Sequence, residues 1–224
     1  MRLALPLALL AAPLSAEELT PAETGVLPRL IDSLCLDLVP DRTGCETALL
    51  LASEDDPLDV DLVILSDRRD GPVETLAVAR SIAWDGPLWG QAPGLERIDT
   101  GPDRPDSLAL ASENIGVSRS AWSQRLTIAH RDGAFVVAGY TYSTRDRLNT
   151  AYGTCDVNLL SGDWEIETGI GARDDPPEMA RGKGARDLRG VGEWAETVGT
   201  GGGPEVCDAM FARLRELSEV EAPE

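Results

Sequence analysis

The sequence predicts a mainly β fold, α+β by count of elements, in which antiparallel sheets form a sandwich or a meander and one helix packs on them at each end. Two observations carry this prediction. Between residues 46 and 168 the apolar residues recur with a period close to two, the period of side chains along a strand. The strand candidates are separated by Asp-Gly and Ser-Gly pairs rather than by helical patterns, which favours antiparallel pairing.

The same periodicity sets the expected strands. They are Glu46–Ala52, Leu58–Ser66, Val73–Ala83, Leu95–Asp99, Ser107–Ser112, Ala121–Arg131, Ala134–Ser143, Cys155–Leu160 and Asp163–Thr168. In the hairpin of 121–143, a type I′ turn at Asp132-Gly133 pairs His130 with Phe135 and Arg125 with Tyr140. Neither face of this hairpin is cleanly polar, which is typical of central strands covered on both sides. We therefore expect two packed sheets, or one sheet on which the helices lie.

The two ends of the chain predict helices. Thr20 before Pro21 is typical of a helix start, and the apolar residues up to Leu38 fall at helical spacing, so residues 21–38 are predicted to be helical. Residues 204–220 carry a second apolar helical face. Between them, 169–203 is rich in glycine and predicts a weakly ordered, flexible connection that Trp194 ties to the domain. The expected organisation is a β-rich domain at 17–168, this connection, and a C-terminal helix that docks on the same domain.

Residues 1–16 predict a cleavable signal peptide. A basic start, an apolar run and Ala16 before the acidic Glu17 are the parts that a signal peptidase reads. The run is short against the ~20 apolar residues that a membrane span needs. We expect a periplasmic or secreted protein without a membrane span after cleavage.

Four cysteines support the same compartment. An even number of cysteines in an exported chain implies disulfides, and Cys35, Cys45, Cys155 and Cys207 allow three connectivities. We favour Cys35–Cys45, which closes a short local loop, together with Cys155–Cys207, which ties the C-terminal helix to the last strands.

The charge excludes some partners. Asp and Glu total 39 against 20 Lys and Arg, for a net charge of −19. Such a field repels nucleic acid and anionic membrane surfaces, whereas basic proteins and divalent cations are compatible with it. The acid is also explained by solubility alone.

The sequence offers no catalytic residue and one candidate metal site. The only histidine, His130, lies beside a tight turn and has no recognisable nucleophile or orienting acid. Carboxylates at Asp55, Asp56, Asp59 and Asp61 precede and enter a strand, and several such oxygens are what Ca²⁺ requires. The alternative is a solvated acidic turn. The sequence indicates no cofactor, with Ca²⁺ as the one candidate.

Aromatic residues near the middle of the chain are the candidate binding residues. The set is Trp84, Trp89, Arg125, Tyr140 and Tyr142. If these side chains are exposed they would recognise a protein or a sugar, and if they are buried they belong to the core, the reading that we favour for Trp84.

Residues 75–165 carry a resemblance. The segments that carry it are 112–116, Arg119, Trp122, 126–128, 131–133, 137–142 and 155–162. They resemble an uncharacterised family of secreted proteobacterial proteins. The resemblance implies export and β structure, and it carries no activity and no site residue.

These observations favour a non-enzymatic binding or envelope-accessory module whose partner is an envelope protein or a glycan. Two alternatives remain open. One is a carboxylate-dependent hydrolase acting on an envelope carbohydrate. The other is an acidic inhibitor of a basic cell-wall hydrolase.

Overall fold

The computed structural model describes residues 20–40, 42, 44–86, 93–116, 118–199 and 202–220. The predicted signal peptide and Trp89 lie outside these residues. The strands are β1 Leu30–Leu36, β2 Glu46–Ala52, β3 Asp59–Leu65, β4 Thr75–Trp84, β5 Gly94–Ile98, β6 Ser107–Asn114, β7 Ser120–Arg131, β8 Ala134–Asp146, β9 Ala151–Asn158, β10 Asp163–Ile170 and β11 Glu178–Lys183. The helices are α1 Pro21–Val26, α2 Val191–Thr197 and α3 Asp208–Val220.

The described strands form two antiparallel sheets. The smaller sheet has the order β1-β2-β3-β4, and the larger sheet has the order β11-β10-β9-β8-β7-β6-β5. Both are meanders, because each strand pairs with its neighbours in sequence. The predicted fold class is confirmed.

One hydrophobic core joins the two sheets and the helices. It contains Leu50 and Leu62 of the smaller sheet, Leu126 and Ile128 of the larger sheet, and Trp194 of α2. Side chains along each strand of the larger sheet point alternately to its two faces. Those on the inner face pack against the smaller sheet, α2 and α3. The opposite face is the outer face.

The prediction of a helix over 21–38 is wrong beyond its first turns. Helix α1 ends at Val26, a 3₁₀ turn covers Leu27–Arg29, and β1 then pairs antiparallel with β2. The cause is an ambiguity of spacing, since positions four apart lie on one face of a helix and equally on one face of a strand. Leu36 and Leu38 are buried and Leu34 packs against the core, as alternate residues of an extended chain.

The segment 169–203 contains regular structure, although its glycine content predicts a flexible connection. Strand β11 pairs with β10 over six residues, and α2 buries Trp194 completely. The expected contact of Trp194 with the domain is confirmed, but the segment is more than a flexible connection. Because Trp164 of β10 packs against Gly182 of β11, a side chain at that glycine would collide with the indole ring.

The C-terminal helix docks as predicted. A 3₁₀ turn at Glu205–Cys207 leads into α3, which packs on β9 and β10. Cys155 of β9 and Cys207 are both buried and form a disulfide, and Cys35 pairs with Cys45. The favoured connectivity is confirmed.

The β7–β8 hairpin keeps its predicted register only near the turn. Asp132 and Gly133 have φ values of 50° and 83°, as a type I′ turn requires, and His130 pairs with Phe135. At Ala138 a bulge then shifts the register, so that Leu126 pairs with Tyr140.

The expected pairing of Arg125 with Tyr140 is therefore wrong, because Arg125 lies opposite Thr141. The bulge moves every residue of β8 from Gly139 onward by one position. As a result, Tyr140 points into the core while Arg125 lies on the outer face.

Candidate functional site

Three of the predicted binding residues lie between the sheets, in a run of aromatic rings. The ring centroids of Trp84 and Trp122 are 5.6 Å apart, those of Trp122 and Tyr142 are 6.1 Å apart, and those of Tyr142 and Tyr140 are 6.4 Å apart. Tyr140 also contacts the buried Trp194 at 5.8 Å. Tyr140 and Trp194 belong to the core and Tyr142 packs against it, whereas Trp84 and Trp122 are half-buried.

Tyr140 has a structural role in this run. Burial raises the pKa of its hydroxyl well above the usual range, with a smaller contribution from Tyr142. The neutral hydroxyl donates a hydrogen bond to the carbonyl oxygen of Gly202 at 3.2 Å, which fastens the segment before α3 to the larger sheet. Trp89, predicted with this group, lies outside the described residues.

The four predicted Ca²⁺ ligands are not brought together. Asp61 is buried in β3, where its carboxylate accepts hydrogen bonds from Nη1 of Arg80 at 2.5 Å and from the backbone N–H of Ser81 at 3.1 Å. Asp56 accepts a hydrogen bond from the backbone N–H of Leu58 and shapes the preceding turn. Asp55 and Asp59 join no metal-binding group, since the described residues contain no cluster of three or more His, Cys, Asp or Glu that could hold an ion. Asp61 instead accepts hydrogen bonds within the bulge between β3 and β4, and a Ca²⁺ site at these four residues stays a prediction.

A groove crosses the outer face of the larger sheet. The central strands β6 to β9 present mostly small or hydroxyl side chains there, whereas the flanking strands β5, β10 and β11 present long ones. The small set includes Ala109, Ala111, Ala121, Ser123, Thr127, Gly139, Thr141, Ser143 and Thr154. The long set includes Glu96, Glu165, Glu167, Met179 and Arg181. This difference in side-chain length makes a trough with walls.

Three adjoining cavities form this trough, which we call the outer groove. A cavity of about 510 Å³ and a second of about 440 Å³ share Glu113 and Ser123. The second and a third of about 240 Å³ share Thr141. Residues Ala121 to Arg131 of β7 run along the groove and extend about 33 Å at the usual rise of a strand.

Polar side chains in the groove form hydrogen bonds and an ion pair with one another. The hydroxyl groups of Ser143 and Thr154 lie 3.0 Å apart, and Thr141 donates a hydrogen bond to Asp156 at 2.6 Å. Arg125 forms an ion pair with Glu96 at 2.5 Å. Of the predicted binding residues within the described part of the chain, Arg125 and Tyr140 line the outer groove, and Arg125 is the one that lies on the outer face of the sheet.

One end of the groove carries an aromatic ring and a free cation. Arg145 lies opposite Tyr152, and its side chain makes no ion pair or hydrogen bond with the part of the chain that the structure describes. Tyr152 packs over Gly169, and burial and the adjacent Glu167 raise the pKa of its hydroxyl. The loop that closes this end is fixed by hydrogen bonds from the backbone N–H groups of Gly171 and Ala172 to Thr150.

Sequence reasoning missed the outer groove because its floor has no distinctive chemistry. Alanine, serine and threonine at alternate positions led us to expect a covered face, as in a buried central strand. The signal that distinguishes a groove is the contrast between neighbouring strands, which requires the strand order to be known.

Comparison of this chain with protein-family models, with curated proteins and with solved structures finds no match. Among the described residues, the structure contains no helix with the length and apolar character to cross a membrane.

Proposed function

We propose that this protein is a non-enzymatic binding module of the periplasm or the extracellular space that holds a glycan chain in the outer groove. The observation that carries the proposal is the continuity of the three cavities through Glu113, Ser123 and Thr141. An elongated groove of this kind fits a linear chain better than a small compact ligand.

The side chains of the groove favour a sugar. A hydroxyl group both donates and accepts hydrogen bonds, so Ser123, Ser143 and Thr154 match the hydroxyl groups of a sugar ring in either direction. Alanine and glycine on the floor allow close approach, and the ring of Tyr152 offers an apolar face with a polar tip for the C–H face of a sugar.

An extended peptide fits this surface less well. Peptides that bind to sheets usually add to an edge strand, where free backbone N–H and C=O groups are available. Strands β6 to β9 are paired on both sides, so they leave no row of free backbone groups for a peptide. A peptide on this face would leave its own backbone groups without partners.

The two disulfides support the proposed location. Disulfides persist in oxidising compartments such as the periplasm and the extracellular space. The acidic composition is compatible with a neutral or amino-sugar polymer and unfavourable for a polyanion.

The test is calorimetric titration of the purified protein with soluble envelope oligosaccharides of increasing length. We expect affinity to rise with length until the groove of about 33 Å is filled. Ser123→Trp places a large ring where two of the cavities meet and is expected to weaken binding by at least about tenfold. Ser33→Trp is the matched control, because it changes an exposed serine on a strand of the smaller sheet.

Two outcomes would overturn the proposal. One is the absence of binding to every oligosaccharide, or binding that Ser123→Trp leaves unchanged in a folded variant. The other is release of new reducing ends during the incubation, which would assign the protein to the carboxylate-dependent hydrolases instead.

A further inference from the structure

A further cavity, separate from the three of the outer groove, lies on the opposite side of the larger sheet, between α3 and the ends of β7 and β8. Its volume is about 600 Å³, and we call it the helix cavity. Cavities of roughly 300–1,000 Å³ are typical of small-molecule sites. Because Tyr142 and Phe211 of its lining belong to the inner face, the helix cavity is separate from the outer groove.

The floor of the helix cavity is apolar. The rings of Tyr142 and Phe211 meet with centroids 5.6 Å apart, and Leu214 completes the floor from α3. The helix is held close to the sheet at this point, since a Cβ on Gly153 would lie 2.8 Å from Cγ of Met210. Cys207, at the start of this helical segment, is bonded to Cys155 and fixes the position of the helix. This disulfide therefore anchors the helix to β9, the strand next to the one that carries Tyr142.

The rim of the helix cavity is cationic. Its charged residues are Arg119, Arg215 and Asp146. Arg119 and Asp146 form an ion pair at 2.6 Å, which cancels one positive charge against the one negative charge. Arg215 is exposed, and within the described ranges its side chain makes no ion pair or hydrogen bond. In the part of the chain that the structure describes, one positive charge without a partner thus borders an apolar floor.

This rim contrasts with the rest of the chain. Acidic residues outnumber basic ones by about two to one, and Arg213 on the same helix is bonded to both Glu178 and Glu216. An arginine without a described partner, next to an apolar cavity, is suited to a charge-assisted hydrogen bond with an anionic group.

We infer that the helix cavity binds a small amphiphilic anion, a monocarboxylate with an aromatic or aliphatic body. The body packs on Tyr142, Phe211 and Leu214, and the carboxylate accepts hydrogen bonds from the Arg215 guanidinium. The hydroxyl group of Ser120 also lines the helix cavity and supplies a further donor, whereas that of Thr144 donates to the carbonyl oxygen of Ala121. This site does not depend on the glycan proposal, because it uses the other face of the sheet.

The test compares 2-naphthoate with 2-naphthol, two probes with the same apolar body, by calorimetric titration of the purified protein near pH 7. We expect 2-naphthoate to bind at least about tenfold more tightly than the neutral 2-naphthol, the equivalent of one charge-assisted hydrogen bond. Arg215→Gln should remove this preference while the affinity for 2-naphthol stays unchanged. The matched control is Arg104→Gln, which changes an exposed arginine in the loop between β5 and β6.

Ser120→Trp provides a second variant, because it fills the helix cavity from an exposed position and should weaken both probes. Equal affinities for the two probes, no binding of either, or a preference that survives Arg215→Gln would overturn the inference. Ser123→Trp, which blocks the outer groove, should leave binding of 2-naphthoate unchanged, so the two proposals fail separately.

Discussion

The buried carboxylate of Asp61 accepts a hydrogen bond from the backbone N–H of Ser81, at 3.1 Å, across a bulge between β3 and β4. Ser81 has a φ of 53°, in the left-handed region that non-glycine residues rarely adopt. The register between the two strands shifts at this point, and the carboxylate satisfies an amide that the ladder leaves unpaired. An acidic residue inside a strand is thereby explained as a part of the sheet.

Asp61→Ala is expected to lower the free energy of unfolding by about 2 kcal/mol, because it leaves the backbone N–H of Ser81 and the Arg80 guanidinium without their acceptor. Urea unfolding at neutral pH measures the change. Asp55→Ala, in the exposed turn before β3, should stay within about 0.5 kcal/mol of the parent. Equal effects of the two substitutions would contradict the assigned role of Asp61.

The two disulfides are expected to differ in their contribution to stability. Their sequence separations are 52 residues for Cys155–Cys207 and 10 residues for Cys35–Cys45. In the chain-entropy model these loops correspond to about 4 and about 3 kcal/mol respectively. Replacing each pair by alanine and measuring urea unfolding should give the larger loss for Cys155–Cys207, whose cysteines are also buried. A larger loss for Cys35–Cys45 would contradict this order.

Gly203→Ala is expected to destabilise the fold by about 1–3 kcal/mol. A Cβ at this position would lie 2.6 Å from the hydroxyl oxygen of Tyr140, which is held between Tyr142 and Trp194 and cannot easily move. Gly25→Ala is the control, because open space surrounds Gly25 in α1 and alanine there should raise stability by up to about 1 kcal/mol. Thermal unfolding measures the stability of the two variants. A loss of stability in Gly25→Ala together with an unchanged stability in Gly203→Ala would contradict the expectation.

Asp67 is expected to contribute a pH-dependent part of the stability. Hydrogen bonds from the backbone N–H groups of Arg69 and Cys45 hold the pKa of this carboxyl below its usual range. A lowered folded-state pKa means that stability is present above the pKa of the unfolded chain and is lost as the pH falls through the folded-state value. The difference in stability between the parent and Asp67→Asn should therefore be largest near neutral pH and disappear in strong acid.

Urea unfolding from pH 7 to about pH 2 follows this difference. Asp103→Asn is the control, since Asp103 is exposed in the loop before β6 and its side chain accepts no hydrogen bond within the described part of the chain. A gap between the parent and Asp67→Asn that stays constant over the whole range would show that the contribution of Asp67 is not electrostatic.

Much of the fold could be predicted because its elements follow local rules. Period-two alternation identified β2 to β10, and the Asp132-Gly133 pair fixed the start of the β7–β8 register. The bulge at Ala138 could not be predicted, since nothing in alanine distinguishes a bulged residue from a paired one. Strand β1 was assigned to a helix because its leucines satisfy both periods, and only its pairing with β2 decides between them.

The candidate site was harder to predict for a different physical reason. Aromatic side chains are typical of binding sites, which is why the sequence predicts Tyr140 and Tyr142 as binding residues. In this fold both side chains pack between the sheets. The outer groove depends on the lengths of side chains in strands that are distant in sequence, such as Glu96 in β5 and Arg181 in β11. Arg125, one of the predicted binding residues, lies on the outer face, whereas its expected neighbour Tyr140 lies on the inner face.

The meander order of both sheets has a consequence for the way the protein folds. Every strand pairs with a neighbour in sequence, so most of the β ladder closes over short loops with a small entropic cost, and a chain of this topology is expected to fold fast for a β protein. Cys35 and Cys45 come together within the first hairpin. Cys155 and Cys207 are separated in the chain by β10, β11 and α2, so their bond closes the longer loop and is expected to form later than Cys35–Cys45.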